Sequence, residues 1–155
     1  MPDEPSTAPS IIRLATHDDI ESINQLDRMS TSPLRIIQRE MEKYFGSVDP
    51  TTHERTLIFL IQVGEAIAGK AELMVPPVID EEAIGYVRRV IISPTYRKMG
   101  LARQLMQHII TYARTELHLT AIDLHVWEQN LPAIRLYEAL GFELQHRELY
   151  FRLAL

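Results

Sequence analysis

The chain contains no cysteine. Disulfide bridges, thiolate metal sites and a cysteine nucleophile are therefore excluded, and no metal is expected. Long apolar runs are also missing. The strongest stretches, such as Leu57 to Ile61, fall far short of the roughly 20 residues that a membrane helix needs, so no membrane partner is expected. The third absence is local: no Asp or Glu falls between Glu82 and Glu116, although the 155 residues include 21 Asp and Glu against 16 Lys and Arg. A formal net charge of -5 argues against general nucleic-acid binding. There is no Walker sequence and no G-x-G-x-x-G. The acid-free window instead holds Arg88, Arg89, Arg97, Lys98, Arg103 and Arg114. A cationic segment in an acidic protein implies a site for a compact anion; a solvated basic helix face is the plainer alternative.

What is present fits one ordinary domain. Hydrophobic residues make up 46% of the chain, enough for a core without covalent staples. Residues 1–10 are polar and proline-rich and read as a flexible lead, not a signal peptide. The domain is then expected over 11–155, in the cytoplasm.

Hydrophobic periodicity sets the expected elements. Ile11 to Ala15 reads as a strand. Thr16-His17-Asp18-Asp19 has the form of a capping box, followed by Ile20, Ile23 and Leu26 at helical spacing. Ser32-Pro33 starts a second helix with the stripe Leu34, Ile37, Met41, Tyr44 and Phe45. Thr56 to Val63 and Ile67 to Val75 form a hairpin around Gly64-Glu65. An acidic loop over Val78 to Ala83 precedes a strand from Ile84 to Ser93. Pro94 to Gly100 turns into a helix, Leu101 to Leu117, whose apolar positions Leu101, Leu105, Ile109 and Ala113 recur every fourth residue. Ala121 to Trp127 is a strand, Leu131 to Leu140 a helix stopped by Gly141, and Phe142 to Leu144 and Leu149 to Leu153 are the last strands. The order β-α-α-β-β-β-α-β-α-β-β predicts an α/β fold: one mixed, mostly antiparallel sheet with helices on both faces.

The chemistry concentrates where the Ile84 strand meets the Leu101 helix, at Ile91-Ile92-Ser93-Pro94-Thr95-Tyr96-Arg97-Lys98-Met99-Gly100-Leu101-Ala102. Backbone N–H groups at a helix N-terminus are unsatisfied, and the helix dipole adds partial positive charge. Gly100 and Ala102 lack bulk, so an anion can approach the backbone, and Arg97 and Lys98 add charge. A plain strand-to-helix turn would look the same taken alone. A second block follows: Leu124-His125-Val126-Trp127-Glu128-Gln129-Asn130-Leu131-Pro132-Ala133-Ile134-Arg135-Leu136-Tyr137-Glu138-Ala139-Leu140-Gly141-Phe142.

The first block resembles the R/Q-x-x-G-x-G/A acetyl-CoA motif of the GCN5-related N-acetyltransferases, and the second resembles that family's N-x-x-A-x-x-L-Y-x-x-L-G-F. The resemblance covers roughly Thr56 to Leu153 and implies a GNAT-like fold with splayed central parallel strands. It implies acetyl-CoA as acyl donor and an amine as acceptor, small-molecule or protein. Arg97, Lys98, Met99, Gly100, Leu101 and Ala102 would bind the pyrophosphate. Val90 and Ile92 would pair through their backbone with the pantetheine arm. Asn130 would face the cofactor, with Ala133 and Leu136 packed beside it, and Tyr137 would protonate the departing thiolate. Dimers are frequent among relatives, so a homodimer is compatible with the resemblance. A degenerate relative that binds acetyl-CoA without turnover is the alternative function; the joint presence of Asn130 and Tyr137 favours the enzyme.

A protonated amine cannot attack a thioester, so a base is required. Many relatives carry a glutamate on the central strand, but Ile84 to Ser93 has no carboxylate. Strict alternation places Tyr86, Arg88, Val90 and Ile92 on one face, and Asp123, His125 and Trp127 on one face of the neighbouring strand. Tyr86 and His125 match a tyrosine-histidine pair that acts through water in some protein N-terminal α-acetyltransferases. His125 is suited by an ordinary pKa near neutrality, with Glu72 and Glu128 as the next carboxylates to consider. Arg88 is unusual in such a strand, and either binds an acidic substrate group or is solvated.

Overall fold

The computed structural model describes residues 9–30, 35, 37 and 41–155. The chain forms two compact units, Met1–His125 and Val126–Leu155. The first contains β1 (Ser10–Leu14), α1 (Ile20–Arg28), α2 (Met41–Tyr44), β2 (Arg55–Val63), β3 (Ala66–Val75), β4 (Ile84–Ile92), α3 (Leu101–Thr115) and β5 (Ala121–Leu124); the second contains α4 (Leu131–Ala139). The strands form one sheet in the order β1-β2-β3-β4-β5. Pairing is antiparallel from β1 to β4 and parallel between β4 and β5, which is the mixed, mostly antiparallel sheet expected.

Burial on both faces explains the near-continuous apolar run of β2. Ile58 and Leu60 join Ile23 of α1, Ile37 and Tyr44 in one cluster. Phe59, pointing the other way, meets the rings of His108 and Tyr112 on α3, with centroids 5.6 and 5.2 Å apart. Helices therefore cover opposite faces of the sheet. Leu101, Leu105, Ile109 and Ala113 of α3 are all buried, as their spacing predicts. At the start of α1 the Asp19 carboxylate accepts from the Thr16 N–H at 2.8 Å and from both terminal nitrogens of Arg13, at 2.7 and 2.8 Å. The predicted start of the second helix at Ser32, Pro33 and Leu34 lies outside the described residues.

Three expectations need correction. No strand occurs from Phe142 to Leu155, where two were expected. An alternating pattern becomes a strand only when a ladder satisfies its backbone, and the second unit taken alone contains no strand to pair with; Leu149, Phe151 and Leu153 stay exposed. Next, β5 ends at Leu124, so His125, Val126 and Trp127 lie beyond it. Finally, alternation along β4 is interrupted. Lys70 pairs with Ile91 but Glu72 pairs with Arg88, so β4 carries one extra residue there, a bulge. Arg89 adopts a φ of 51°, a left-handed conformation that is uncommon outside glycine. The bulge moves Ile91, not Ile92, onto the face shared by Tyr86 and Arg88.

The bulge lies just beyond the point where β4 leaves β5. The parallel ladder runs only from Ile84↔Ala121 to Val87↔Leu124, while β4 continues to Ile92. Gly69 lets β3 follow closely on the other side: a Cβ there would lie 2.7 Å from the Ile91 carbonyl oxygen. Among the described residues, no helix is long and apolar enough to cross a membrane.

Candidate active site

Residues 88–92 of β4 have β3 on one edge and, among the described residues, no paired strand on the other. The Ser93 N–H donates to the Ala68 carbonyl at 2.8 Å. By the alternation of an antiparallel ladder, the Ile92 N–H and C=O and the Val90 C=O turn toward the open edge. This is the arrangement an extended ligand needs to add as a strand. Arg97 donates from Nε to the Ile92 carbonyl at 3.1 Å, tying the basic turn to the end of β4.

That turn is a short 3-10 segment, Pro94–Tyr96, followed by exposed Arg97, Lys98, Met99 and Gly100. Lys98 and Gly100 have φ values of 63° and 74°. Gly100 is the N-cap of α3, and no side chain caps the helix. A Cβ at Gly100 would meet nothing within 4 Å, so the glycine is required by its backbone conformation and leaves open space over the first turn. Leu101 is buried and anchors the helix; Ala102 follows it. Uncapped N–H groups, a short side chain and two adjacent cations fit a pyrophosphate.

Tyr86 and His125, 39 residues apart in sequence, are brought together. Tyr86 pairs in register with Asp123 on β5, and His125 follows two residues later on the same side. Tyr86 Oη lies 2.6 Å from His125 Nδ1, and the rings are 5.5 Å apart at 45°.

A group that sequence reasoning missed lies on the same face of the sheet. Lys70 and Glu72 are fully buried within β3. Lys70 Nζ bonds the Glu72 carboxylate and approaches Asp27 Oδ1 of α1 at 2.8 Å. Arg35 donates from NH1 to Glu72 Oε1 at 2.6 Å and from NH2 to Oε2, and from Nε to Asp27 at 3.1 Å. Its guanidinium also stacks 4.6 Å above the Tyr44 ring. Arg89 NH1 is 3.8 Å from Asp27. Burial alone would raise the Glu72 carboxyl, but Arg35 and Lys70 hold it below the usual carboxylate range. Burial, then repulsion from Arg35, lowers Arg89. Glu72 is thus an ion-pair anchor and not an accessible base. The available signal was two opposite charges at i and i+2 on one face of an otherwise apolar strand.

The remaining candidates belong to the second unit. Asn130 caps α4, its Oδ1 accepting from the Ala133 N–H at 3.3 Å. Ala133 and Leu136 are half-buried on that helix. Tyr137 is also half-buried and packs edge-on against Phe142, 5.8 Å away. Burial pushes the Tyr137 phenol up, so it keeps its proton at neutral pH. Glu128 lies near Arg147 at 3.5 Å, both exposed. Among the described residues, no three His, Asp or Glu side chains converge as metal ligands.

Comparison with known proteins bears on family and fold. The glucosamine 6-phosphate N-acetyltransferase of Trypanosoma brucei brucei is 31% identical over 96 residues, 61% of this chain and 63% of that enzyme. The N-terminal acetyltransferase B complex catalytic subunit NAA20 of Arabidopsis thaliana is 36% identical over 67 residues, 43% of this chain and 38% of that subunit. The chain thus spans less than two thirds of either relative. The spermidine N(1)-acetyltransferase of Escherichia coli K12 is 28% identical over 151 residues, 91% of this chain and 76% of the enzyme. In fold, the chain is similar to AAC(6')-Iy solved in complex with the bisubstrate analog CoA-S-monomethyl-acetylneamine, with a TM-score of 0.73 at 16% identity over 95% of this chain and 99% of that one. The model of the Acetyltransferase (GNAT) family matches residues 20–142, and the chain belongs to that family.

Proposed function

We propose that the chain is an acetyl-CoA-dependent N-acetyltransferase that moves the acetyl group to a primary amine by direct attack on the thioester. The observation that carries this reading is the Tyr86–His125 contact on the face of β4 next to its open edge. The uncapped turn at Arg97, Lys98, Met99, Gly100, Leu101 and Ala102 holds the pyrophosphate, and the backbone of Val90 and Ile92 holds the pantetheine arm. Asn130, Ala133 and Leu136 are assigned to the same cofactor. Acetyl-CoA, when bound, supplies an acyl thioester open to a neutral amine.

His125 is assigned the base. The imidazole exchanges the proton with the acceptor, directly or through water, and Tyr86 Oη, 2.6 Å from Nδ1, fixes the ring. The Ile92 backbone N–H on the open edge of β4 supplies a donor where charge develops on the carbonyl oxygen. Tyr137, kept protonated by burial, is assigned to protonate the departing thiolate.

The named acceptors of relatives range from spermidine to glucosamine 6-phosphate; a primary amine is their shared chemistry. Thiol release with an amine panel, alongside calorimetry with acetyl-CoA, tests the reading. Cofactor binding with acetyl transfer to at least one amine is expected. Binding without turnover on any amine would leave a sensor module instead.

A further inference from the structure

Arg88 stands out on the Tyr86–His125 face. It lies two residues beyond Tyr86, so their Cα atoms are roughly 7 Å apart. Its in-register neighbour on β3 is Glu72, the carboxylate that would ordinarily neutralise it. Both Glu72 oxygens instead accept from Arg35 and Lys70. Arg88 Nε is buried and has no hydrogen-bond partner among the described residues. A buried guanidinium nitrogen without a partner is unfavourable, and a planar oxyanion would relieve it. Beside Tyr86, on β5, Asp123 pairs in register and is exposed. The face thus presents the exposed Asp123 carboxylate level with Tyr86 and an unneutralised guanidinium two residues further along β4. This polarity suits a molecule with an ammonium at one end and an anion at the other.

We propose that Arg88 holds the anionic end of the acceptor, so that the acceptor is an amine also bearing a carboxylate or phosphate about one strand repeat away. The proposal rests on the acetyl-transfer reading. It adds a substrate class that the reading does not require. Lys70 and Arg35 act indirectly: by occupying Glu72 they keep Arg88 available.

The test compares matched amines on the full chain: alkylamines, ω-amino carboxylates and ω-aminoalkyl phosphates of equal length. Affinity is measured by calorimetry and kcat/KM by thiol release. The parent should favour one or both anionic series at least ten-fold over the neutral amines, in affinity and in kcat/KM. The better series tells carboxylate from phosphate. Arg88→Gln should reduce the anionic-to-neutral ratio to about one, and Arg88→Lys should retain part of it; thermal melting confirms that both variants fold. A parent without anionic preference, or an Arg88→Gln variant that keeps it, overturns the subsite. If neutral amines are nevertheless acetylated, acetyl transfer stands without the subsite. If anionic amines bind preferentially through Arg88 and none is acetylated, the subsite stands and acetyl transfer fails.

Discussion

A 2.6 Å contact between Tyr86 Oη and His125 Nδ1 makes the two residues chemically inseparable, and their substitutions should reflect different shares of one task. His125→Ala should lower kcat/KM about ten-fold or more at neutral pH, with the deficit shrinking at high pH as free amine becomes abundant. Tyr86→Phe should lose less, because water can replace the hydroxyl. A His125→Ala pH-rate profile that overlays the parent from acid to alkaline pH would exclude the histidine. Tyr137 is proposed to act at the other end of the reaction, on the leaving thiolate. Tyr137→Phe keeps the ring against Phe142 and removes only the acid. A fall in kcat of roughly ten- to a thousand-fold, with acetyl-CoA affinity unchanged, is expected; equal kcat values would remove the phenol from the mechanism.

Among the elements, the junction of β4 and α3 is the proposed seat of the cofactor pyrophosphate. Gly100 sits at φ 74° with open space above it, so two substitutions separate backbone conformation from charge. Gly100→Ala strains the left-handed turn and should cost about 1–2 kcal/mol of stability. Gly100→Asp adds a carboxylate at the proposed pyrophosphate position and should weaken acetyl-CoA at least a hundred-fold in calorimetry; unchanged affinity in the folded variant would move the cofactor site elsewhere. Most elements were legible because their periods differ: α3 repeats apolar residues every fourth position, while β2 and β3 are short apolar runs broken by Gly64. The bulge at Arg89 was not legible, since one extra residue leaves each side chain looking plausible and only the cross-strand register reveals it. The C-terminal strands were over-read because alternation reports a capacity to pair and not a partner. The paired Tyr86 and His125 were found through family resemblance to the blocks around Gly100 and Asn130. The ion pairs of Glu72 were missed because burial of a charge depends on what folds over it.

For the whole molecule, those ion pairs make stability depend on acid. The folded-state pKa of Glu72 lies below its ordinary value, as does that of Asp19 beside Arg13. The folded chain therefore binds fewer protons than the unfolded one near those values. This stabilisation is complete above the unfolded carboxylate range, about 4, and is lost as pH falls through the lower folded values. Glu72→Gln should destabilise by about 3–5 kcal/mol at neutral pH, since it leaves Lys70 and Arg35 buried beside a neutral group. Denaturant melts of the parent and variant should converge as pH drops below about 4; parallel curves would show that Glu72 does not carry the acid sensitivity. The sheet's sequence distances also order its assembly. Val63 and Ala66 of the β2–β3 hairpin close almost at once, whereas Ser10 must find Val63 across the intervening helices and so meets a far larger loop-closure entropy. The hairpin is thus expected to template the sheet, with β1 docking late; β1 would then be the first strand to detach under stress, uncovering the apolar edge of β2 to neighbouring chains before the rest of the sheet opens.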